Sequence, residues 1–340
     1  MSRRKRQAYI PTPAWERPRG ALGRRVFGYS PRAYAVAAVV ALMVFAIGLV
    51  GYAFWSDYRE DQQRPGSTAV RVEDSKYSLR YFAERLRLFV QQAGGPANQS
   101  ATPSIAIPAV IEQIIQESIV RDFASEKEVS VSEDDIKQEI GLRINVKVDD
   151  PNFDQRFLGE LDRSGLSDDE YRLMVESALL TEKIRTKFQD DLPRSAESVH
   201  YRQILVVDAA AGEDVKKRIE AGADFAEVAK KESLDTTTKD KGGDLGWVPR
   251  GVLDKPREDA VFGLKPNAVT VFSETGRTYV FQLVEKSKDR KIEDSMKPIL
   301  ALKGFTAWVD EKRANLKIDE SVSDDEDNAK WVIDRVYNLA

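Results

Sequence analysis

Between Ala33 and Trp55 the chain runs for 23 residues without a charge, AYAVAAVVALMVFAIGLVGYAFW. As a helix rising about 1.5 Å per residue it would reach roughly 35 Å, enough to cross a hydrocarbon core about 30 Å thick. The run exceeds the apolar core of a secretory signal, and Phe54 and Trp55 stand where a cleavage site would need small residues. A buried helix of a soluble domain would show a polar stripe, and this run has none. Tyr52, Phe54 and Trp55 cluster at its far end, as aromatic rings do at a headgroup boundary. The expectation is a retained transmembrane helix over residues 33–55, with the lipid bilayer as its partner.

Charge is distributed unevenly about that helix. Residues 1–32 hold nine Lys and Arg against Glu16, a net +8, so that the chain total of −4 leaves −12 for residues 56–340. Basic flanks stay in the cytoplasm, which places residues 56–340 outside. The leader contains Pro11, Pro13, Pro18 and Pro31 and little aromatic interleaving. It reads as a basic cytoplasmic tail with no nucleic-acid role.

The 340 residues contain no cysteine and one histidine, His200. Disulfide scaffolds, thiolate nucleophiles and Cys-ligated metal centres are excluded, and a multi-His site cannot be assembled. No metal and no cofactor are expected.

Residues 56–74, with Pro65-Gly66, read as a linker. Residues 75–192 follow helical periodicity, with an apolar stripe from Val110 to Phe123 and a Ser132-Glu133-Asp134-Asp135 helix start. Gly165 can stop one helix, and Ser167 with Glu170 can cap the next. The Ile-rich helix, the VSVSEDDI start and the turn F-x-x-x-L-x-x-S-G-L-S-D-D-E-Y-R resemble the helical N-terminal region of the SurA/PrsA-type secretory chaperones.

From Val199 the pattern changes to strand, two short helices, a glycine-rich strand, a helix and two strands, the last alternating Tyr279, Phe281, Leu283 against Val280, Gln282, Val284. This order, with GADFAEVAKKESLD, GGDLGWVPRG and YVFQLVEK, resembles a parvulin peptidyl-prolyl isomerase domain over residues 197–287. The fold class expected is α+β: one transmembrane helix, an all-α chaperone region and a parvulin-like domain on a four-stranded antiparallel-type sheet.

The resemblance implies a site. The family's acidic or cysteine position falls on Asp235, and its two histidine positions fall on Gln203 and Thr278. Thr275 takes the nearby hydroxyl position. Gln203 and Thr278 are expected to hydrogen-bond each other and support Asp235. Leu245 and Leu253 fall on pocket positions, Asp254 where a Gln is common, and Arg257 where an aromatic floor is usual. His200, an odd number of residues from Gln203, belongs to the opposite face of the strand. Prolyl isomerisation needs neither metal nor covalent intermediate, so a chain poor in Cys and His can perform it.

Residues 288–318 read as a helix that, in the chaperones resembled, folds back on the helical region. Residues 319–340 read as an acidic linker and a terminal helix. The functional expectation is a bacterial, membrane-anchored extracytoplasmic foldase that binds unfolded or newly exported polypeptides and isomerises X-Pro bonds. The alternative is a parvulin-fold holdase or assembly subunit that only binds clients. The sequence leaves the oligomeric state open.

Overall fold

The computed structural model describes residues 31–337, including the backbone of the first helix and part of its side chains. The basic tail expected over 1–32 therefore lies almost wholly outside the described residues. By its internal contacts the chain divides into residues 1–67 and 68–340.

The first unit is helix α1 (Pro31–Gln63), a single 33-residue segment that contains the uncharged run. Its described large apolar side chains, from Val36 to Trp55, are all about half exposed or more. Among the described residues, which leave out several side chains of that run, no helix is long and apolar enough to cross a membrane.

The second unit begins with one strand where a linker was expected and a second at the start of the region expected to be all helical. β1 (Thr68–Val72) and β2 (Ser75–Ser78) pair antiparallel, and Ala69, Val70 and Val72 are fully buried. The helices α2 (Leu79–Gln92), α3 (Pro103–Phe123), α4 (Glu133–Arg143), α5 (Phe153–Ser164) and α6 (Asp168–Asp190) follow. Their ends are set by side chains. Ser132 and Ser167 each accept from the third backbone N–H of the next helix, while Asp135 and Glu170 reach back to the cap N–H. Gly165 ends α5 at φ 70°, where a Cβ would lie 2.6 Å from a Glu84 carboxylate oxygen. Arg80 ties the turn to α2, donating to the Gly165 carbonyl at 2.9 Å and pairing with Glu170.

A buried ion pair lies within the helical core. Arg85, its side chain 3% exposed, makes a bidentate pair with Glu117 at 2.7 Å and donates to the Tyr81 hydroxyl. Burial pushes the Tyr81 phenol up to about 12, and the paired guanidinium is held above its ordinary range despite its desolvation. Losing either partner alone would strand a charge in the core, a change that costs about 3–5 kcal/mol.

The next segment comprises β3 (Ser195–Val206), α7 (Ala209–Glu220), α8 (Phe225–Glu232), β4 (Asp244–Pro249), α9 (Lys255–Phe262), β5 (Val269–Glu274) and β6 (Arg277–Lys291). The sheet order is β4-β3-β6-β5, every pair antiparallel. α7 and α8 cover one face through Val215, Ile219, Phe225 and Val228, packed on Ile204, Val206 and Val280. The other face carries Val199, Tyr201, Tyr279, Phe281 and Leu283 beneath Val261 and Phe262 of α9.

The chain then returns to the helical body. α10 (Lys297–Arg313) packs on α6 and α3 with Phe305, Trp308 and Val309 buried, and Phe188 meets Phe305 edge-on at 6.5 Å. β7 (Ile318–Asp319) joins β1, giving the sheet order β2-β1-β7. α11 (Ser321–Asp324) and α12 (Glu326–Tyr337) close the fold. The acidic stretch is therefore not a solvated linker: Val322 and Val332 are fully buried, and Tyr337 donates to the Ala101 carbonyl at 2.6 Å. Charge on the outer face of these segments hid single valines that dock inward.

Candidate functional site

The site is built where the segment after α8 turns back along the end of β3. Ser233, 2% exposed, accepts from the backbone N–H groups of Leu205 and Asp235 at 3.2 Å each, and Leu234 N–H donates to the Leu205 carbonyl at 2.9 Å. These bonds hold Asp235 over Gln203. The Asp235 carboxylate accepts four hydrogen bonds: from Gln203 Nε2 at 2.8 Å, Thr238 Oγ1 at 2.5 Å, and the Thr237 N–H and hydroxyl at 3.0 and 2.6 Å. Partial burial works against its charge, but the donors of Thr237, Thr238 and Gln203 outweigh it and hold the carboxyl far below the usual carboxylate range. The four donors thus favour the carboxylate anion over the neutral acid.

That depressed value has a sign. The bonds to the anion add stability that is present in full above the unfolded pKa of about 4, and is lost as pH falls through the folded value. Urea titrations of wild type and Asp235→Asn should differ most above pH 5 and converge as the pH is taken from 4 toward 2. A gap that widens on acidification would contradict the assignment.

Two glycines make the second half of the site possible. Gly242 and Gly243 both have positive φ, 69° and 78°. Gly243 accepts from Gln203 N–H at 2.8 Å and donates to the Thr238 carbonyl at 2.9 Å. A Cβ on Gly243 would lie 2.3 Å from the Gln203 carbonyl oxygen, and one on Gly242 2.5 Å from Ala226 Cβ. The loop thus reaches β3 because it lacks side chains there. Beyond it, Leu245 packs with Leu253, Val252, Leu264 and Phe272 around the Tyr201–Tyr279–Phe281 cluster. Tyr279 stacks on Phe281 at 5.7 Å and Tyr201 meets Phe281 edge-on.

Four of the residues singled out by sequence meet here: Asp235 and Gln203 in direct contact, Leu245 and Leu253 in the adjoining apolar cluster. The others do not join them as expected. Thr278 pairs with Val206, bonds Ser273 Oγ at 3.0 Å and lies against Gly212 of α7, on the face opposite Gln203. It therefore makes no bond to Gln203. The register opposes Gln203 to Phe281 and Leu205 to Tyr279, so Phe281 and Tyr279, not Thr278, share the Gln203 face. Thr275 is exposed at the tip of the β5–β6 hairpin, where it and Gly276 take φ of 44° and 75° in a two-residue turn. Asp254 is also exposed and pairs at 2.7 Å with Lys303 of α10. Arg257, in the first turn of α9, pairs with Glu274 and lies over the Tyr279 ring with 4.7 Å from guanidinium carbon to centroid. His200 stays on the far face, bonded to Asp244 Oδ1 at 2.7 Å.

A PPIC-type peptidyl-prolyl isomerase domain model matches residues 197–287, and a SurA-like N-terminal domain model matches residues 32–185. The chain thus carries a parvulin-type peptidyl-prolyl isomerase domain beside a SurA-like region. Its parvulin domain is the four-stranded sheet with α7, α8 and α9, and the Asp235–Gln203 contact lies within it. The foldase protein PrsA of Caldanaerobacter subterraneus subsp. tengcongensis is 31% identical over 159 residues, 46% of this chain and 49% of that protein. The chain thus spans about half the length of that relative. The foldase protein PrsA 2 of Bacillus anthracis is 26% identical over 275 residues, 71% of this chain and 92% of that protein. The crystal structure of the peptidylprolyl isomerase PrsA from Bacillus anthracis aligns with a TM-score of 0.39 at 23% identity, covering 68% of this chain and 97% of that one.

Proposed function

We propose that this parvulin-type protein is a foldase that binds unfolded polypeptides and isomerises X-Pro bonds, with Asp235 as the fixed charge of its site. The observation that carries this reading is the four-donor Asp235 carboxylate set against Gln203 at the edge of an apolar cluster containing Leu245 and Leu253. A planar amide places partial negative charge on its oxygen, and rotation removes that charge together with the resonance behind a barrier of about 18–20 kcal/mol. An anion held beside the bond disfavours the planar form, and an apolar bed for the prolyl ring removes competing water. Gln203 orients the carboxylate. In this reading Gln203 and Tyr279 stand where the family's histidines do, and Thr278, Thr275 and Asp254 have no part in the reaction.

A second reading, a holdase that binds clients without isomerising them, is favoured by Arg257: a guanidinium lies over Tyr279 where the family resemblance leads one to expect an aromatic floor. Suppression of aggregation of a denatured model protein by the full chain separates binding from catalysis. The foldase reading expects wild type and Asp235→Ala to suppress aggregation alike at stoichiometric ratios. Suppression that vanishes in Asp235→Ala, or is absent in wild type, would contradict client binding by the surrounding body.

The same proposal places the protein in a bacterial cytoplasmic membrane, with α1 as a single-pass anchor, residues 1–32 inside and residues 56–340 outside. The uncharged run and the +8 leader support it. Protease added to spheroplasts should digest residues 56–340, while intact inverted vesicles should protect them; the reverse pattern would overturn the orientation.

A further inference from the structure

One wall of the apolar cluster is a short loop, residues 250–254, between β4 and α9. Val252 and Leu253 pack into the cluster from that loop. Part of the loop is fixed from within the sheet segment. Arg250 pairs with Glu197 of β3 at 2.7 Å, and Gly251 N–H donates to the buried Glu258 carboxylate of α9 at 2.5 Å. The rest is fixed by α10. A Cβ on Gly251, whose φ is 92°, would lie 3.3 Å from Leu300 Cδ2. Lys303 Nζ pairs with Asp254 Oδ1 at 2.7 Å, and that hydrogen bond holds the Asp254 carboxyl below the usual carboxylate range. Gly251 and Asp254 thus meet α10, while the two residues between them meet the cluster.

α10 belongs to the helical body. Phe305, Trp308 and Val309 bury it in the helical core, and Phe188 of α6 lies against Phe305. Leu300 and Lys303, three residues apart, share a face one turn before these anchors. The backbone that carries them is therefore set by the packing of the helical body, and they reach the loop from there. α10 itself contributes no residue to the apolar cluster of the site.

We infer that Lys303 is a positioning residue for the isomerase site: through Asp254 it fixes the loop that places Leu253, so that the helical body sets one wall of a pocket it does not line. Asp254 touches no reacting atom and serves as the tether. The inference rests on the isomerase reading above. The pair is open to solvent, with side chains 37% and 85% exposed, so its effect is modest and falls with salt.

The test is a double-mutant cycle on the full chain, Lys303→Gln, Asp254→Asn and both together, read as kcat and KM for isomerisation of an Ala-Pro peptide. A pocket wall holds the prolyl ring in ground and transition states alike. Each single variant should therefore raise KM about threefold with kcat unchanged, the scale of one exposed pair. The double variant should raise it no further. In about 0.5 M salt the gap to wild type should close, which a loss of folded protein would not produce. KM unchanged in the single variants, effects that multiply to about ninefold in the double, or a gap indifferent to salt overturns the inference. Acceleration by none of the four proteins, wild type included, contradicts the isomerase reading instead. Dissociation constants of the same peptide, read by NMR titration across the cycle, then decide the positioning role: the same threefold rise supports it, and equal constants overturn it.

Discussion

Gly243→Ala should destabilise residues 68–340 by about 3–4 kcal/mol and abolish the site, placing it among the larger effects of single substitutions. Two penalties act together. An L-residue at a φ of 78° is strained by about 1–2 kcal/mol. The new Cβ would also stand 2.3 Å from the Gln203 carbonyl oxygen, and that neighbour is the backbone of a strand paired on both sides. A flexible side chain could swing away; β3 cannot. Relief would pull the loop off β3, break the Gln203 N–H to Gly243 bond, and release Thr238, one of the donors that hold Asp235. Urea unfolding followed by tryptophan fluorescence checks the first claim, since Trp247 lies on β4 beyond this loop. A loss under 1 kcal/mol would show that the close approach is not required. Gly246, with open space at its Cβ position and a φ of 70°, supplies the control: Gly246→Ala should show the backbone strain alone.

Much of this was legible in the sequence because it depended on local chemistry. The caps at Ser132 and Ser167, the αL stop at Gly165 and the paired glycines each follow from a short motif whose geometry admits few residues. Asp235 and Gln203 were also legible, through the order of motifs around them. The choice of Thr278 failed because register is not local. One residue of slip moves a side chain to the other face of a sheet. A usable signal was present: Thr278 shares its phase with Val280 and Gln282, whereas Tyr279 belongs with Phe281 and Leu283 on the opposite face. What the alternation lacked was the pairing that puts Gln203 opposite Phe281. Strands β1 and β7 were hidden for a similar reason. They are five and two residues long, and beside their own pairing Glu73, at a φ of 50°, accepts from Lys317 N–H and donates its own N–H to the Lys317 carbonyl. The burial of Val322 and Val332 depends on contacts with residues more than two hundred positions away, which no window along the chain contains.

Asp235→Ala is expected to lower kcat/KM for prolyl isomerisation by about 10²-fold, the scale on which removal of one preorganised electrostatic group acts. The change removes the acceptor of four hydrogen bonds, so Gln203, Thr237 and Thr238 lose their common partner. Asp235→Asn separates the charge from the bonds. It keeps an acceptor oxygen but not the anion, and should fall nearly as far as the alanine variant if the charge does the work. Gln203→Ala should cost less, about tenfold, because Thr237 and Thr238 still orient the carboxylate. Equal activity in Asp235→Asn and wild type would assign the carboxylate to holding the loop alone.

The central claim is that a fixed anion beside an apolar bed lowers the barrier to rotation about an X-Pro bond. Exchange NMR of an Ala-Pro peptide, at equilibrium and with a substoichiometric amount of the full chain, reads that rotation directly without a coupled protease. Wild type should produce cis–trans exchange cross-peaks on a sub-second timescale, against tens of seconds for the free peptide, and Asp235→Ala should remove them. Wild-type protein that binds the peptide yet leaves its exchange rate unchanged would contradict the account and leave the holdase reading in its place.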